Sequence, residues 1–190
     1  LDNAIDSNGG NVTLNSDRDA DGMGGVMLEL ESGGGIRTLG GNIVIGGGSD
    51  PLNNPTGALP QSIAKLDQPG NAQGVGAHIR TDLDAGGGNI SIRGTSNDGV
   101  GIRQSAGTIA TSGTGTITLI GESTSANDHG VSLSSGISTV DGDLDITGVG
   151  NTGTISAYGV VISNVEMGST GLGNVTVDGT THATGGFTDA

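Results

Sequence analysis

The 190-residue sequence has no cysteine and no tryptophan, only two aromatic residues (Tyr158 and Phe187), and a single lysine, Lys65. Without cysteine there is no disulfide framework to stabilise the fold and no thiolate to hold a metal. With six basic residues against twenty acidic ones, the formal net charge is −14. Such a field repels nucleic acid and anionic lipid, and no basic stripe offsets it, so nucleic-acid binding is excluded as a function class. No run of 18 apolar residues exists, so no transmembrane segment in the form of a helix is expected. Leu1-Asp2-Asn3-Ala4 lacks the basic start and apolar run of a signal peptide. The missing initiator Met suggests a processed or excised piece.

What is abundant is glycine, 40 residues in all, together with Val, Ile and Leu in short alternating groups. A disordered chain has no reason to keep such alternation. A turn followed by apolar, small, apolar recurs along the sequence: Gly9-Gly10-Asn11-Val12-Thr13-Leu14, Gly40-Gly41-Asn42-Ile43-Val44-Ile45, Gly87-Gly88-Asn89-Ile90-Ser91-Ile92, Gly115-Thr116-Ile117-Thr118-Leu119, Gly142-Asp143-Leu144-Asp145-Ile146 and Gly173-Asn174-Val175-Thr176-Val177. The register marks Asn11, Asn42, Asn89, Thr116, Asp143 and Asn174 are spaced by 31, 47, 27, 27 and 31 residues. Periods of this size with β-type units indicate a solenoid. Glycine at this frequency disfavours a helical one.

Each period carries three strand signals. The first is the opening motif, and the second is Val-x-aliphatic: Val26-Met27-Leu28, Val75-Gly76-Ala77, Val100-Gly101-Ile102, Val131-Ser132-Leu133 and Val160-Val161-Ile162. The third is Ile-x-Thr: Ile36-Arg37-Thr38, Ile79-Arg80-Thr81, Ile109-Ala110-Thr111 and Ile137-Ser138-Thr139. The fold class is therefore all-β: one domain over 1–190, a right-handed parallel β-helix with three strands per turn and about six turns. Two interior ladders are expected, one from Val12, Ile43, Ile90, Ile117, Leu144 and Val175, the other from Leu14, Ile45, Ile92, Leu119, Ile146 and Val177. Thr13, Ser91, Thr118 and Thr176 face out.

Two segments depart from the period. Ser49 to Ala72 holds all four prolines (Pro51, Pro55, Pro60, Pro69) and is expected to leave the ladder as a surface insertion loop, 49–72. Within it, 61–66 is expected to form a helical turn. The other departure is Asn15 to Gly25. There Asp17, Asp19 and Asp21 stand at alternate positions closed by Gly22, the first half of an oxygen-ligand calcium loop. Leu28 falls where the twelfth-position Glu is required, with Glu29 adjacent. A Ca2+ site and an exposed acidic turn are the two readings of this stretch.

Other groups carry less chemistry. Asp141, Asp143 and Asp145 form an acidic cluster, but Asp145 is expected to stack between Thr118 and Thr176, so no carboxylate pair is set up for acid/base work and a solvated turn is expected. His78, His129 and His182 fall on different turns without cysteine partners. The column Thr38, Thr81, Thr111 and Thr139 is expected to line a corner, not to form an ice-binding array. Three Asn-x-Ser/Thr sequons recur because the repeat recurs. The Gly-rich turns lack a phosphate-cradling lysine and open no helix, so no P-loop is present. No catalytic residue is singled out, and the chain is not expected to be an enzyme.

Gly-Gly-Asn-Ile/Val-x-Ile/Leu, followed by Ser-Asp-x-Asp-x-Asp-Gly and Ile-x-Thr-x-Gly-Gly-Asn, resembles the repeats of filamentous haemagglutinin-like, two-partner-secretion exoproteins. The resemblance covers nearly all of the chain except Ser49 to Ala72, and the amino-terminal secretion signature of that family is not evident. It implies a secreted, extracellular protein of the bacterial cell surface and a role as a shaft segment of a fibre or adhesin. Its partners would be other copies or adjoining segments of the same fibre, and a host or cell-surface glycan or protein. Both ends are expected to expose open strand edges, which continue into a longer solenoid or join end to end. A polysaccharide-binding or polysaccharide-cleaving β-helix is the alternative.

Overall fold

The computed structural model describes residues 4–19, 24–29, 34–49, 51, 74–152 and 157–183. Alternating small aliphatics between Gly and Asn corners produce seventeen strands and no helix among the described residues. The first coil holds β1 (Ile5–Asp6), β2 (Val12–Asn15) and β3 (Val26–Leu28); the second holds β4 (Gly35–Arg37), β5 (Ile43–Gly46) and β6 (Gly74–Ile79). The third holds β7 (Asp82–Asp84), β8 (Ile90–Ser96) and β9 (Gly99–Gln104); the fourth holds β10 (Ile109–Ala110), β11 (Ile117–Ser123) and β12 (Val131–Leu133). The fifth holds β13 (Ile137–Thr139), β14 (Leu144–Thr152) and β15 (Val160–Ile162), and a sixth contributes β16 (Met167–Ser169) and β17 (Val175–Ala183).

Each strand pairs in parallel with its counterpart in the next coil, giving three sheets: β1-β4-β7-β10-β13-β16, β2-β5-β8-β11-β14-β17 and β3-β6-β9-β12-β15. The protein is thus a three-sided β-solenoid, with five full coils and two strands of a sixth among the described residues. The second sheet carries both expected interior ladders in register, Ile43↔Ile90↔Ile117↔Leu144 and Ile45↔Ile92↔Leu119↔Ile146. These eight side chains are at most 1% exposed. Burying each contributes about 1.5–3 kcal/mol, and branched aliphatics fill such stacked layers without aromatic rings.

The third sheet departs from the expected register. Val131 pairs with Ile102 and Ala77 with Ile102, while Val75 and Val100 pair with each other two residues earlier. The ladder is therefore Val26–Ala77–Ile102–Val131–Val160. Ile79 belongs to this sheet, opposite Leu28 and Gln104, and not to an Ile-x-Thr strand. Leu83 takes the first-sheet position between Ile36 and Ile109. Thr81 accordingly leaves the threonine column. Thr38, Thr111 and Thr139 do line a buried corner, where Thr38 Oγ1 donates to Ala85 O at 3.1 Å and Thr111 Oγ1 to Gly88 O at 2.6 Å.

The outward positions Thr13, Ser91, Thr118 and Thr176 are exposed or half-buried, as expected. Val44 is in the same column and is only 4% exposed. Of the insertion 49–72, Ser49 and Pro51 are described; the expected helical turn at 61–66 lies outside the described residues.

Two features of the stacking were not expected. The Asn register marks form a side-chain ladder: Asn11 Oδ1 accepts from Asn42 N (2.8 Å), Asn42 Oδ1 from Asn89 N (2.8 Å) and Asn89 Oδ1 from Thr116 N (2.9 Å). Beyond Thr116, Asp143 Oδ1 takes up the same role toward Asn174 N at 2.7 Å. The second feature is a glycine seam. Past the three-sided core, the long strands β8, β11 and β14 press against the third sheet, and a Cβ on Gly94, Gly121 or Gly148 would overlap the carbonyl oxygen of Gly101, Gly130 or Gly159.

Candidate functional site

Both departures from the repeat leave the solenoid at one corner, between the second and third sheets, in adjacent coils. β2 ends at Asn15 and β5 ends at Gly46, and the exits are bonded together. Ser16 N donates to Gly46 O (3.0 Å), Asn15 Nδ2 to Gly48 O (2.7 Å) and Gly48 N to Asp17 O (2.6 Å). The starts of the acidic stretch and of the proline-rich insertion are therefore neighbours in adjacent coils, joined through Asn15, Ser16 and Asp17 on one side and Gly46 and Gly48 on the other.

Of the three residues expected to hold calcium, Asp17 and Asp19 are described. Asp17 is 2% exposed, and its backbone N donates to Asn15 Oδ1 at 3.3 Å. Asp19 is exposed, and Asp21 lies outside the described residues. Among the described residues no three His, Cys, Asp or Glu side chains converge as a metal site. Asp17 is thus buried and Asp19 exposed.

Higher on the same corner, the segments before β12 and β15 build a polar cluster. Ser125 Oγ donates to Asp128 Oδ2 (2.9 Å), Asn151 Nδ2 to Thr124 O (2.7 Å) and Asn127 N to Asn151 O (2.8 Å). Asn127 adopts a left-handed φ of 71°, which Asn tolerates better than most side chains. Tyr158 N donates to His129 Nδ1 at 3.0 Å, which fixes the proton of the neutral imidazole on Nε2. The Tyr158 ring stacks on His129 with centroids 5.6 Å apart while remaining 55% exposed.

The outer face of the third sheet holds the second cluster. His78 sits in register between Met27 and Arg103, and His78 Nε2 meets Ser105 Oγ at 2.8 Å. Burial, then the charges of Arg103 and Arg80, lower the His78 pKa to about 4 against a weaker opposing pull from Glu29. Glu29 forms an ion pair with Arg80. Arg103 also acts on His129, whose pKa is lowered mainly by burial and partly by Arg103, with Asp128 opposing. His78 and His129 lie on different coils, as the sequence implied, and Arg103 is the in-register neighbour of His78. No spacing rule announces this, because the grouping arises from sheet register.

The acidic cluster is the expected solvated turn, with Asp141 and Asp145 exposed and Asp143 half-buried, and it also bonds to the neighbouring coil. Asp141 Oδ1 accepts from Leu172 N (3.1 Å) and Asp143 Oδ1 from Asn174 N, so both hold the next coil. Asp145 stacks between Thr118 and Thr176, as expected. No family model, curated protein or solved structure matches the chain.

Proposed function

We propose that this chain is a structural shaft segment of a secreted bacterial surface fibre or adhesin. The observation that carries the reading is the continuous stacking of the aliphatic and glycine ladders through successive coils. Every ladder runs along one axis, so load is shared by main-chain bonds between coils and not concentrated at one site. An acidic exterior keeps such a shaft soluble and resists lateral association. The resemblance to filamentous haemagglutinin-type repeats supports the same reading, with adjoining coils of the fibre as the first partners and a host or cell-surface glycan or protein as the ligand of its exposed corner.

In this reading the acidic stretch with Asp17, Asp19 and Asp21 binds Ca2+ and ties the first two coils together. The test is the melting temperature with and without calcium. A rise that vanishes when Asp19 and Asp21 are replaced by Asn supports the site, and no rise in the parent protein ends it.

The second reading, a polysaccharide-binding or polysaccharide-cleaving domain, draws on the exposed Tyr158 ring beside the Asp128 and Asn151 cluster, since sugar faces stack on such rings. Incubation with anionic polysaccharides decides between the two. The shaft reading expects no new reducing ends; turnover would replace it.

A further inference from the structure

The outer face of the third sheet breaks the acidic character of the molecule. The chain carries six basic residues against twenty acidic ones, yet two of its five arginines, Arg80 and Arg103, stand on this face with His78. Sheet register groups them. His78 pairs with Arg103 and Arg103 with Ser132, which makes one outward column across the second, third and fourth coils. Two residues further along each strand, Arg80, Ser105 and Ser134 directly follow Ile79, Gln104 and Leu133, which pair with one another, and so form a second column. In-register neighbours of adjacent strands lie about 4.8 Å apart, so the six side chains share one patch. Arg80, Ser105 and Ser134 are exposed, and His78, Arg103 and Ser132 are half-buried. The set lies between β3 on one side and β15 on the other, so a described coil flanks every member on both sides.

The groups on this patch are donors. His78 Nε2 meets Ser105 Oγ at 2.8 Å, which bridges the two columns. The Ser132 and Ser134 hydroxyls make no hydrogen bond among the described residues. The adjoining carboxylate, Glu29, belongs to the coil beneath and is engaged by Arg80. Burial and then the charges of Arg103 and Arg80 keep the His78 imidazole neutral, and each guanidinium acts on it more strongly than Glu29 does. The local potential is therefore set by the arginines, in a chain whose net charge is −14.

We infer that this patch is an oxyanion-binding site, in which the Arg103 guanidinium and the Ser105, Ser132 and Ser134 hydroxyls receive one carboxylate or sulfate group. Arg103 supplies the charge and the planar fork that such groups fit, and the hydroxyls complete the donor set. A free oxyanion and the acidic group of a sugar present the same chemistry here, and titration separates them. The site follows from sheet register and stands whether or not the segment belongs to a shaft.

Nuclear magnetic resonance of the 190-residue chain tests the site. The His78 imidazole signals, assigned by their loss in His78→Gln, are followed while acetate, inorganic sulfate or glucuronate replaces chloride at constant ionic strength. They are expected to move along a saturable curve. Arg103→Gln is expected to weaken binding about tenfold or more, because a charge-assisted donor is lost. Arg103→Lys, which keeps the charge without the fork, is expected to weaken it less. Replacing Ser132 and Ser134 together by Ala leaves every charge in place and is expected to weaken binding about threefold. Equal saturation by acetate and glucuronate assigns the site to a free oxyanion, whereas glucuronate binding about tenfold tighter or more assigns it to an acidic sugar. His78 signals that stay in place, that drift without saturating, or that saturate equally in Arg103→Gln overturn the site. If Arg103→Gln fails to fold, the double serine variant takes its place, and undiminished binding there overturns the site.

Discussion

Gly88 lies over the carbonyl of Gly41 in the coil beneath, so closely that a Cβ on Gly88 would overlap that oxygen. The stacking distance of the coils and the identity of this corner residue are therefore one constraint. Gly88→Ala forces the two coils apart locally and is expected to lower stability by about 3 kcal/mol. Gly10→Ala, with only the 3.4 Å contact to Ser7 O, is expected to leave the monomer unchanged or raise its stability by up to about 1 kcal/mol. Urea unfolding of the two variants checks the contrast, and equal midpoints would contradict it.

The threonine corner offers a difference in sign. Thr139 is 1% exposed and its Oγ1 has no hydrogen-bond partner among the described residues, whereas Thr111 Oγ1 donates to Gly88 O and accepts from Gly87 N at 3.2 Å. Replacing an unsatisfied buried hydroxyl by a methyl of the same shape removes a desolvation penalty; removing a bonded one orphans its partners. Thr139→Val is expected to stabilise by about 1 kcal/mol and Thr111→Val to destabilise by about 1–3 kcal/mol. Thermal and urea unfolding read both.

Leu39 has a φ of 53° in a corner where Asn8 (φ 50°) and Gly86 (φ 56°) occupy the matching places in neighbouring coils. Its side chain is 65% exposed, so it contributes little burial in return for the left-handed backbone. Leu39→Asn is expected to raise stability by about 1 kcal/mol. A lower unfolding midpoint for this variant would show that the Leu39 side chain makes a compensating contact.

The His78 ring is held neutral in the fold, with its pKa lowered from 6.5 to about 4 by burial and by Arg103 and Arg80, while Glu29 opposes them. The unfolded chain takes up the proton at the ordinary value. Its contribution to stability is thus fully present above pH 6.5 and is lost as the pH falls toward about 4. Unfolding midpoints are expected to decline across this window in the wild type and to decline less in His78→Gln. Parallel declines in the two proteins would contradict the assignment.

Much of the second sheet was legible because Gly-Asn corners mark its register in every period. The third sheet was misregistered by two residues at Val75 and Val100. A slip of two keeps every side chain on its own face, so alternation alone cannot detect it. Gly74 and Gly99 begin β6 and β9 early, which let Val75 and Val100 imitate Val131, and Ile79-Arg80-Thr81 imitated an Ile-x-Thr strand by the same parity. The glycine seam had no signature at all, because an approach between backbones of two sheets leaves no periodic trace. At the corner, the two departures were visible separately, but their contact through Gly48 and Asp17 required the stacking. The placement of Arg103 beside His78 likewise follows only once the register is known.

The central claim is that these coils form part of a load-sharing shaft. Electron microscopy of the native cell-surface material, labelled by an antibody against this segment and combined with diffraction from aligned samples, tests it most directly. Label along unbranched rods is expected, with a repeat of about 4.8 Å parallel to the rod axis from strands stacked across it. Label confined to discrete compact particles, or strands running along the rod, would contradict it.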